Sequence, residues 1–172
     1  MRMAAVLTAT ILAAGCMTAN EPGAGDGASA ELRNAAGATL ARAEAVAAGD
    51  GTRVTVNAVG LRPGTYAVHV HTTGRCDAPA FESAGAHWNP TTRQHGAQNP
   101  RGPHQGDLPN LTVGANGSGA IAFTIPGAQL RGGNGAMLDA DGAAVVVHAN
   151  ADDYRTDPSG NSGGRIGCGI LF

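Results

Sequence analysis

Short segments of apolar and β-branched residues, separated by turn signals, recur along the chain and constrain its fold more than any other feature. Asp50-Gly51, Arg62-Pro63-Gly64 and Asn116-Gly117 are turn signals of this kind. The repetition predicts an all-β protein, an eight-stranded Greek-key β-sandwich or barrel with two long functional loops. The predicted strands cover residues 31–35, 38–47, 52–59, 65–71, 110–113, 119–125, 143–148 and 166–172.

The composition favours one β-rich domain. The 172 residues suffice for a single sizeable core, 27 of them are glycine, and the apolar residues are mostly Ala and Val. The alanine-rich segment 38–47 would also suit a helix, but Gly37 and Asp50-Gly51 bracket it as turns bracket a strand. A net charge of -2, without a cluster of Lys and Arg, excludes a nucleic-acid surface.

The first residues have the order of a secretory signal. Arg2 precedes an uncharged, mostly apolar run over residues 3–15, which is too short to span a bilayer. The run ends in the small residues Ala13-Ala14-Gly15-Cys16. We therefore expect a signal peptide at residues 1–15, a flexible tether rich in Gly, Pro, Asp and Ser at residues 16–30, and one domain at residues 31–172.

Such a signal exports the domain to the periplasm or cell envelope, and two fates of Cys16 are open. Gly15-Cys16 resembles a bacterial lipoprotein signal, in which Cys16 becomes the lipid-bearing first residue and tethers the domain to the membrane. That signal usually has Leu three residues before the Cys, where this chain has Ala13. Cleavage after Ala14 or a nearby small residue would leave no lipid.

Cys76 and Cys168 are the two cysteines that follow Cys16. In an oxidising compartment a disulfide between them is the economical interpretation, and two buried free thiols are the alternative. Closing a loop of about 90 residues would stabilise the fold by roughly 4 to 5 kcal/mol in the chain-entropy model.

All six histidines lie between His69 and His148. His69 and His71 are two residues apart on a predicted strand, so both imidazoles point to the same face. His148 follows the apolar run 143–147 and ends another strand. Three ring nitrogens on a rigid sheet are thereby available to one metal.

Segments 72–109 and 149–165 are rich in Gly, Pro, Asp and Asn and show no strand pattern. The first is far longer than a simple connection, so we expect a metal to order it. It contains His87, His95, His104 and Asp107, which offer three nitrogens and one carboxylate. This set suits four-coordinate zinc.

Six motifs follow one another along the chain: HVH at residues 69–71, GAHWNP at 85–90, HG at 95–96, HQGDLPN at 104–110, VH at 147–148 and GNSGGRIGCG at 160–169. In this order they resemble the motifs of bacterial copper/zinc superoxide dismutases, from about residue 30 to the end of the chain. Six motifs in one order are far more specific than a lone His-x-His pair.

The resemblance implies two metal sites that share one residue. Copper would be bound by His69, His71, His87 and His148, and zinc by His87, His95, His104 and Asp107. His87 would bridge the two metals as imidazolate. The ligand chemistry agrees, because an all-nitrogen flattened set suits Cu(II), whereas three nitrogens with one carboxylate suit zinc.

The resemblance also implies roles for residues around the metals. Asp152 matches the aspartate that accepts hydrogen bonds from one ligand of each metal, here His69 and His95. We expect the neighbouring Asp153 to be only a solvated loop charge. Arg165 matches the arginine beside the copper channel, which attracts superoxide and orients it.

Cys76 and Cys168 match the disulfide of the family.

The chain departs from the family pattern at three places, none of which is a ligand. Residues 72–75 lack the acidic residue often found there, and Gly167 stands where Ala is commoner. Segment 149–164 lacks the larger charged array of some relatives. Arg165 is therefore the one residue for which the sequence predicts a role in guiding the substrate.

The activity implied is the conversion of two superoxide anions and two protons to oxygen and hydrogen peroxide, as copper cycles between Cu(II) and Cu(I). His87 would take up a proton when copper is reduced and return it as peroxide forms.

A nonenzymatic copper-handling protein is a rival interpretation of the function, although such a protein would be expected to lack a copper ligand. A zinc hydrolase would need an open zinc position and a general base. Relatives include dimers and monomers, so a homodimer and a monomer are both open.

Overall fold

The fold is built from antiparallel strands. A computed structural model describes residues 27–172, which contain nine β-strands, one single-turn 3₁₀ helix (Glu82–Ala84) and no α-helix. The predicted all-β class is confirmed, whereas the signal peptide, Cys16 and the tether as far as residue 26 lie outside the described residues. The strands are β1 (Gly27–Arg33), β2 (Thr39–Ala48), β3 (Gly51–Ala58), β4 (Gly64–Tyr66), β5 (Val68–His71), β6 (Leu111–Val113), β7 (Ala120–Pro126), β8 (Ala143–His148) and β9 (Arg165–Leu171).

Seven strands form one sheet in the order β5-β8-β9-β1-β2-β3-β7, and β4 pairs with β6 in a second sheet. The strands β7 and β8 are consecutive in the chain but are separated in the sheet by β9, β1, β2 and β3, as in a Greek key. Leu111 and Val113 of β6 share one buried core with Val54 of β3 and Val145 of β8. The small sheet therefore packs against the inner face of the large one.

The predicted strand 65–71 is in fact two strands, β4 and β5, so the predicted count of eight is one too low. The chain changes partner at Ala67. Its N–H donates to the carbonyl of Asn150 (2.8 Å), and its carbonyl accepts the N–H of His148 (3.0 Å). These backbone bonds separate the β4–β6 pair from the β5–β8 pair.

The first strand also begins earlier than predicted, because residues 27–30 belong to the domain and not to the tether. Ala28 and Ala30 are buried between exposed neighbours. Ser29 exchanges backbone hydrogen bonds with Phe172 at 3.1 and 3.3 Å. Alternation of such small side chains is only a weak strand signal. The Gly, Pro, Asp and Ser residues of segment 16–30 therefore predicted a tether as far as residue 30.

Strand β8 is buried on both faces, and its alternate residues pack into different clusters. Residues 143, 145 and 147 face the main core. Residues 144 and 146 pack with Phe81, Ala84 and Cys168, and the confirmed disulfide joins Cys168 to Cys76 with a Cα–Cα distance of 5.6 Å. The disulfide cluster thus fixes the segment around Phe81 on the outer face of β8.

Three long connections stand out: 72–110 between β5 and β6, 149–164 between β8 and β9, and 127–142 between β7 and β8. The first two correspond to the predicted functional loops, and the third was not predicted. The described part of the chain contains no helix long and apolar enough to cross a membrane.

Candidate metal centre

Four histidine rings converge where β5, β8 and loop 72–110 meet. His69 and His71 of β5 are fully buried, and His148 lies at the end of the adjacent strand β8. His87 reaches them from the loop through an isolated bridge to His71, and its ring centroid lies 4.0 Å from that of His69. The four rings offer ligand atoms that all lie within 4.8 Å of one another. The structure therefore groups the four predicted copper ligands.

Three buried ring nitrogens in this group have no hydrogen-bond partner within residues 27–172. They are Nδ1 of His69, Nε2 of His71 and Nε2 of His148. A buried polar atom without a partner is costly in an apolar interior. Converging nitrogen lone pairs supply the donors that a copper ion needs, so these residues fit the metal.

The second nitrogen of each of these rings is held by the protein. His69 Nε2 lies 2.9 Å from a carboxylate oxygen of Asp152, and His71 Nδ1 lies 2.9 Å from the carbonyl of Gly85. His148 Nδ1 lies 3.1 Å from Ser162 Oγ and 3.3 Å from the carbonyl of Gly163. An N–H donated to these acceptors fixes the tautomer and leaves the opposite lone pair for a metal.

A second cluster adjoins the first through His87. Asp107 Oδ1 lies 3.0 Å from His87 Nδ1 and 3.2 Å from His104 Nδ1, and Asp107 Oδ2 lies 3.0 Å from His95 Nδ1. The Nδ1 atoms of His87 and His104 are 3.3 Å apart. The structure therefore brings together the four predicted zinc ligands, with three nitrogens and one carboxylate.

By distance alone His69 could also belong to this second cluster, because one of its ring nitrogens lies within 4.8 Å of ligand atoms of His87, His95 and Asp107. However, His69 Nε2 is hydrogen-bonded to Asp152, so Nδ1 is the one nitrogen that His69 can offer to a metal. His104 joins the second cluster through its Nδ1, which lies 3.2 Å from Asp107 Oδ1 and 3.3 Å from His87 Nδ1.

Asp152 joins the two clusters, as the resemblance implied. One of its oxygens lies 2.9 Å from His69 Nε2 and the other 2.9 Å from His95 Nε2. Asn110 holds its backbone with two hydrogen bonds, of 2.8 and 2.9 Å. Gly160 has a φ of +62°, and a Cβ there would lie 1.9 Å from Asp152 Oδ1, so only glycine fits beside the carboxylate.

Burial lowers the pKa of several histidines in the metal-free protein. It lowers the pKa of His71 to about 2, that of His148 to about 3 and that of His87 to about 4. The pKa of His69 is also lowered, although its hydrogen bond to Asp152 opposes the effect of burial. These imidazoles are therefore neutral at pH 7, as metal ligands must be.

The carboxylates have the opposite effect on His95. Burial would lower the pKa of His95, but the carboxylates of Asp107 and Asp152, each 2.9 to 3.0 Å from a ring nitrogen, raise it to about 9. Burial would likewise raise the pKa of both carboxyls, but hydrogen bonds from histidines hold them well below their usual range. To bind zinc, His95 would have to release the proton on Nδ1.

Arg165 is partly buried beside the first cluster. It is the β9 partner of His148 in the strand register. Its Nη1 donates to the carbonyl of Phe81 and its Nη2 to the carbonyl of Gly85, both at 2.7 Å. Cys168, on the same strand, ties this region covalently to loop 72–110 through Cys76.

Sequence reasoning assigned no role to Asp157, whose Oδ1 accepts the backbone N–H of His95 at 2.6 Å. Asp153 is an exposed loop charge, as expected, and its carboxylate also accepts hydrogen bonds from Arg155, Thr156 and Asn161, so it organises the loop that carries Asp152. The Thr156 hydroxyl is the main reason why the pKa of Asp153 falls to about 2. The Asp153-x-x-Thr156 spacing is a signal that could have suggested this turn.

The Greek-key sheet and its two adjoining clusters are the features of a protein that binds two metals. The family model described as copper/zinc superoxide dismutase (SODC) matches residues 37–171. The chain belongs to this family, and copper and zinc are its cofactors.

Comparison with individual proteins agrees. The chain is 46% identical over 125 residues to the superoxide dismutase-like protein YojM of Bacillus subtilis, a match that covers 72% of this chain and 64% of that protein. It is 39% identical over 144 residues to superoxide dismutase [Cu-Zn] 2 of Aquifex aeolicus, covering 83% of this chain and 84% of that protein. The crystal structure of a SOD-like protein from Bacillus subtilis superimposes with a TM-score of 0.78 at 42% identity, over 84% of this chain and 97% of that one.

Proposed function

We propose that this protein is a superoxide dismutase, which converts two superoxide anions and two protons to oxygen and hydrogen peroxide. The observation that carries the proposal is the convergence of three buried, unpartnered nitrogens beside His87. Copper would supply the electron transfer by alternating between Cu(II) and Cu(I). The protein holds this chemistry in a rigid site, because the ligands lie on strands or are fixed by hydrogen bonds.

The copper ligands in this proposal are Nδ1 of His69, Nε2 of His71, Nε2 of His148 and a nitrogen of His87. The zinc ligands are Nδ1 of His87, His95 and His104, with the carboxylate of Asp107. The division is supported by which nitrogen of each ring is already hydrogen-bonded.

His87 carries the proton in this proposal. Its Nδ1 lies beside Asp107 and His104, so Nε2 is the nitrogen left for the copper cluster. With its Nδ1 held on the zinc side, the ring keeps its position while Nε2 gains a proton and gives it up again. The proton is delivered to the reduced product at a fixed place.

Arg165 attracts and orients the anion. Its guanidinium is fixed by two carbonyls yet remains partly exposed, and its strand partner is His148. A cation held beside the copper ligands raises the local concentration of a small anion and can donate hydrogen bonds to it.

Metal analysis combined with a superoxide-consumption assay tests the proposal. Protein loaded with one copper and one zinc should consume superoxide, and the metal-free protein should not. Loaded protein without activity would favour a copper-handling role, and activity with zinc alone would point to another chemistry. One relative is named superoxide dismutase-like, so the assay is needed even with all ligands present.

We also propose that the domain acts outside the cytoplasm and is tethered through a lipid on Cys16. The disulfide Cys76–Cys168 supports export, because disulfides persist in oxidising compartments. Mass spectrometry of the mature N-terminus after cell fractionation would test both points. Recovery of Cys16→Ser in the soluble envelope fraction would support the tether, and an unmodified N-terminus on the parent would contradict it.

A homodimer is the third part of the proposal. Phe123 on the edge strand β7 is 36% exposed, and it lines a cavity of about 750 Å³ with Ile125, Pro126 and Pro109. An exposed apolar surface of this kind favours self-association. Sedimentation equilibrium of the parent and of Phe123→Glu would test it, with a monomeric parent as the contrary result.

A further inference from the structure

The turn that anchors Arg165 also carries a carboxylate. The guanidinium binds the carbonyls of Phe81 and Gly85, which flank the single helical turn Glu82–Ala84. Phe81 and Ala84 are buried against β8, and the N–H of Gly85 donates to the carbonyl of Glu82 at 3.0 Å. Glu82 is the exposed residue of this fixed turn. Its side chain therefore extends into solvent, and the preceding residue, Phe81, supplies one of the two carbonyls that bind Arg165.

Neither charge is neutralised by a close partner. In the described range, neither Glu82 nor Arg165 makes an ion pair within 4.0 Å, whereas the nearby Asp77 is paired with Arg75 at 2.5 Å. Burial lowers the pKa of Arg165, and the charge of Glu82 acts against that lowering. The same field that stabilises the guanidinium reduces the positive potential that an approaching anion meets.

We propose that Glu82 lowers the rate of anion capture, because its carboxylate offsets part of the attraction that Arg165 exerts on superoxide. This inference rests on the proposed function. It concerns the approach of the anion and not metal binding, since Glu82 is in neither group of candidate metal-binding residues within 27–172. We expect one unit charge on the turn that holds Arg165, facing solvent, to change the rate of capture about two- to fivefold at low salt.

The test compares the parent with Glu82→Gln, Glu82→Lys and the control Glu44→Gln. Glu44 is an exposed carboxylate on β2, and its neighbours on the adjacent strands are Ser29 and Thr55. Glu44→Gln changes the net charge by the same amount as Glu82→Gln, on a strand that β9 and β1 separate from β8. Glu82→Gln keeps the size and shape of the side chain. Metal content and thermal unfolding are measured for each variant.

Two readouts are needed. The rate constant for superoxide by pulse radiolysis should rise about two- to fivefold in Glu82→Gln at low salt and further in Glu82→Lys, and the gain should shrink as salt screens the charge. The affinity of the copper-loaded protein for azide, followed by absorbance, should rise in the same order. Glu44→Gln should match the parent in both.

The outcomes separate the two hypotheses. A fully metallated parent without activity would overturn the proposed function. An active parent whose rate and azide affinity are unchanged or lowered by Glu82→Gln would overturn the role of Glu82. Equal gains in Glu82→Gln and Glu44→Gln would also overturn it, because net charge alone would then account for the effect.

Discussion

His71 and Arg165 are hydrogen-bonded to the same atom, the carbonyl oxygen of Gly85, at 2.9 and 2.7 Å. A proposed copper ligand and the proposed anion-guiding residue are thus positioned by one peptide unit. Gly85 has a φ of +77°, and a Cβ there would lie 2.7 Å from the hydroxyl of Thr72. Any change at Gly85 must therefore act on both residues.

We predict that Gly85→Ala costs about 1 to 3 kcal/mol of stability through backbone strain and contact with Thr72. It should also weaken copper binding by roughly tenfold while zinc is retained. Thermal unfolding and copper titration would measure these effects. Gly37→Ala is the control, because Gly37 has a φ of +82° with nothing within 4 Å of an added Cβ. Equal copper affinity in both variants would contradict the role of the Gly85 carbonyl.

His148→Ala should abolish dismutase activity and leave zinc bound, because His148 contributes to the first cluster alone. Metal content and superoxide consumption are measured after loading with both metals. Near-normal activity of the fully loaded variant would remove His148 from the copper site.

Asp157→Ala should weaken zinc binding about tenfold, because the buried N–H of His95 loses its acceptor. Asp157→Asn keeps an oxygen at that place and should bind zinc almost as tightly as the parent. Competition with a chelating dye in copper-free protein gives both affinities. If the two variants lose the same affinity, the negative charge matters and the hydrogen bond does not.

Arg165→Glu should slow superoxide consumption roughly tenfold or more at low ionic strength with both metals in place. The parent and variant rates should approach each other as salt rises, since salt screens attraction and repulsion alike. Part of the gap should persist, because a hydrogen bond to the anion is screened far less. A variant as fast as the parent at low salt would show that Arg165 does not guide the anion and is an ordinary surface charge.

The metal-free protein should be most stable near pH 6.5. His71, His148 and His87 have pKa values lowered from 6.5 to about 2, 3 and 4, so their stability contribution is complete above about pH 6.5 and is lost as pH falls. Each should cost about 2 kcal/mol at pH 5. The pKa of His95 is raised to about 9, so its contribution is lost as pH rises from 6.5 to 9. Thermal unfolding across this range tests the maximum, and a midpoint that rises steadily from pH 8 to pH 5 would contradict it.

The residues of the two clusters were predictable because histidine and aspartate side chains are themselves typical metal ligands. The alternation of His69 and His71 along a strand and the His-rich motifs identify them without coordinates. The features that were missed depend on backbone groups, which every residue has. The carbonyl of Gly85, the N–H of His95 and the change of strand partner at Ala67 have no characteristic residue type.

Asp152 gives one oxygen to a ring of each cluster, and this division has a thermodynamic consequence. A metal bound at either site would hold one of the two rings that donate to this carboxylate, and through the carboxylate it would restrain the other ring. The free energy of loading one metal would then depend on whether the other is present, and linkage requires that dependence to be mutual. The factor by which zinc tightens copper binding would have to equal the factor by which copper tightens zinc binding, although the carboxylate that couples the two sites binds neither metal.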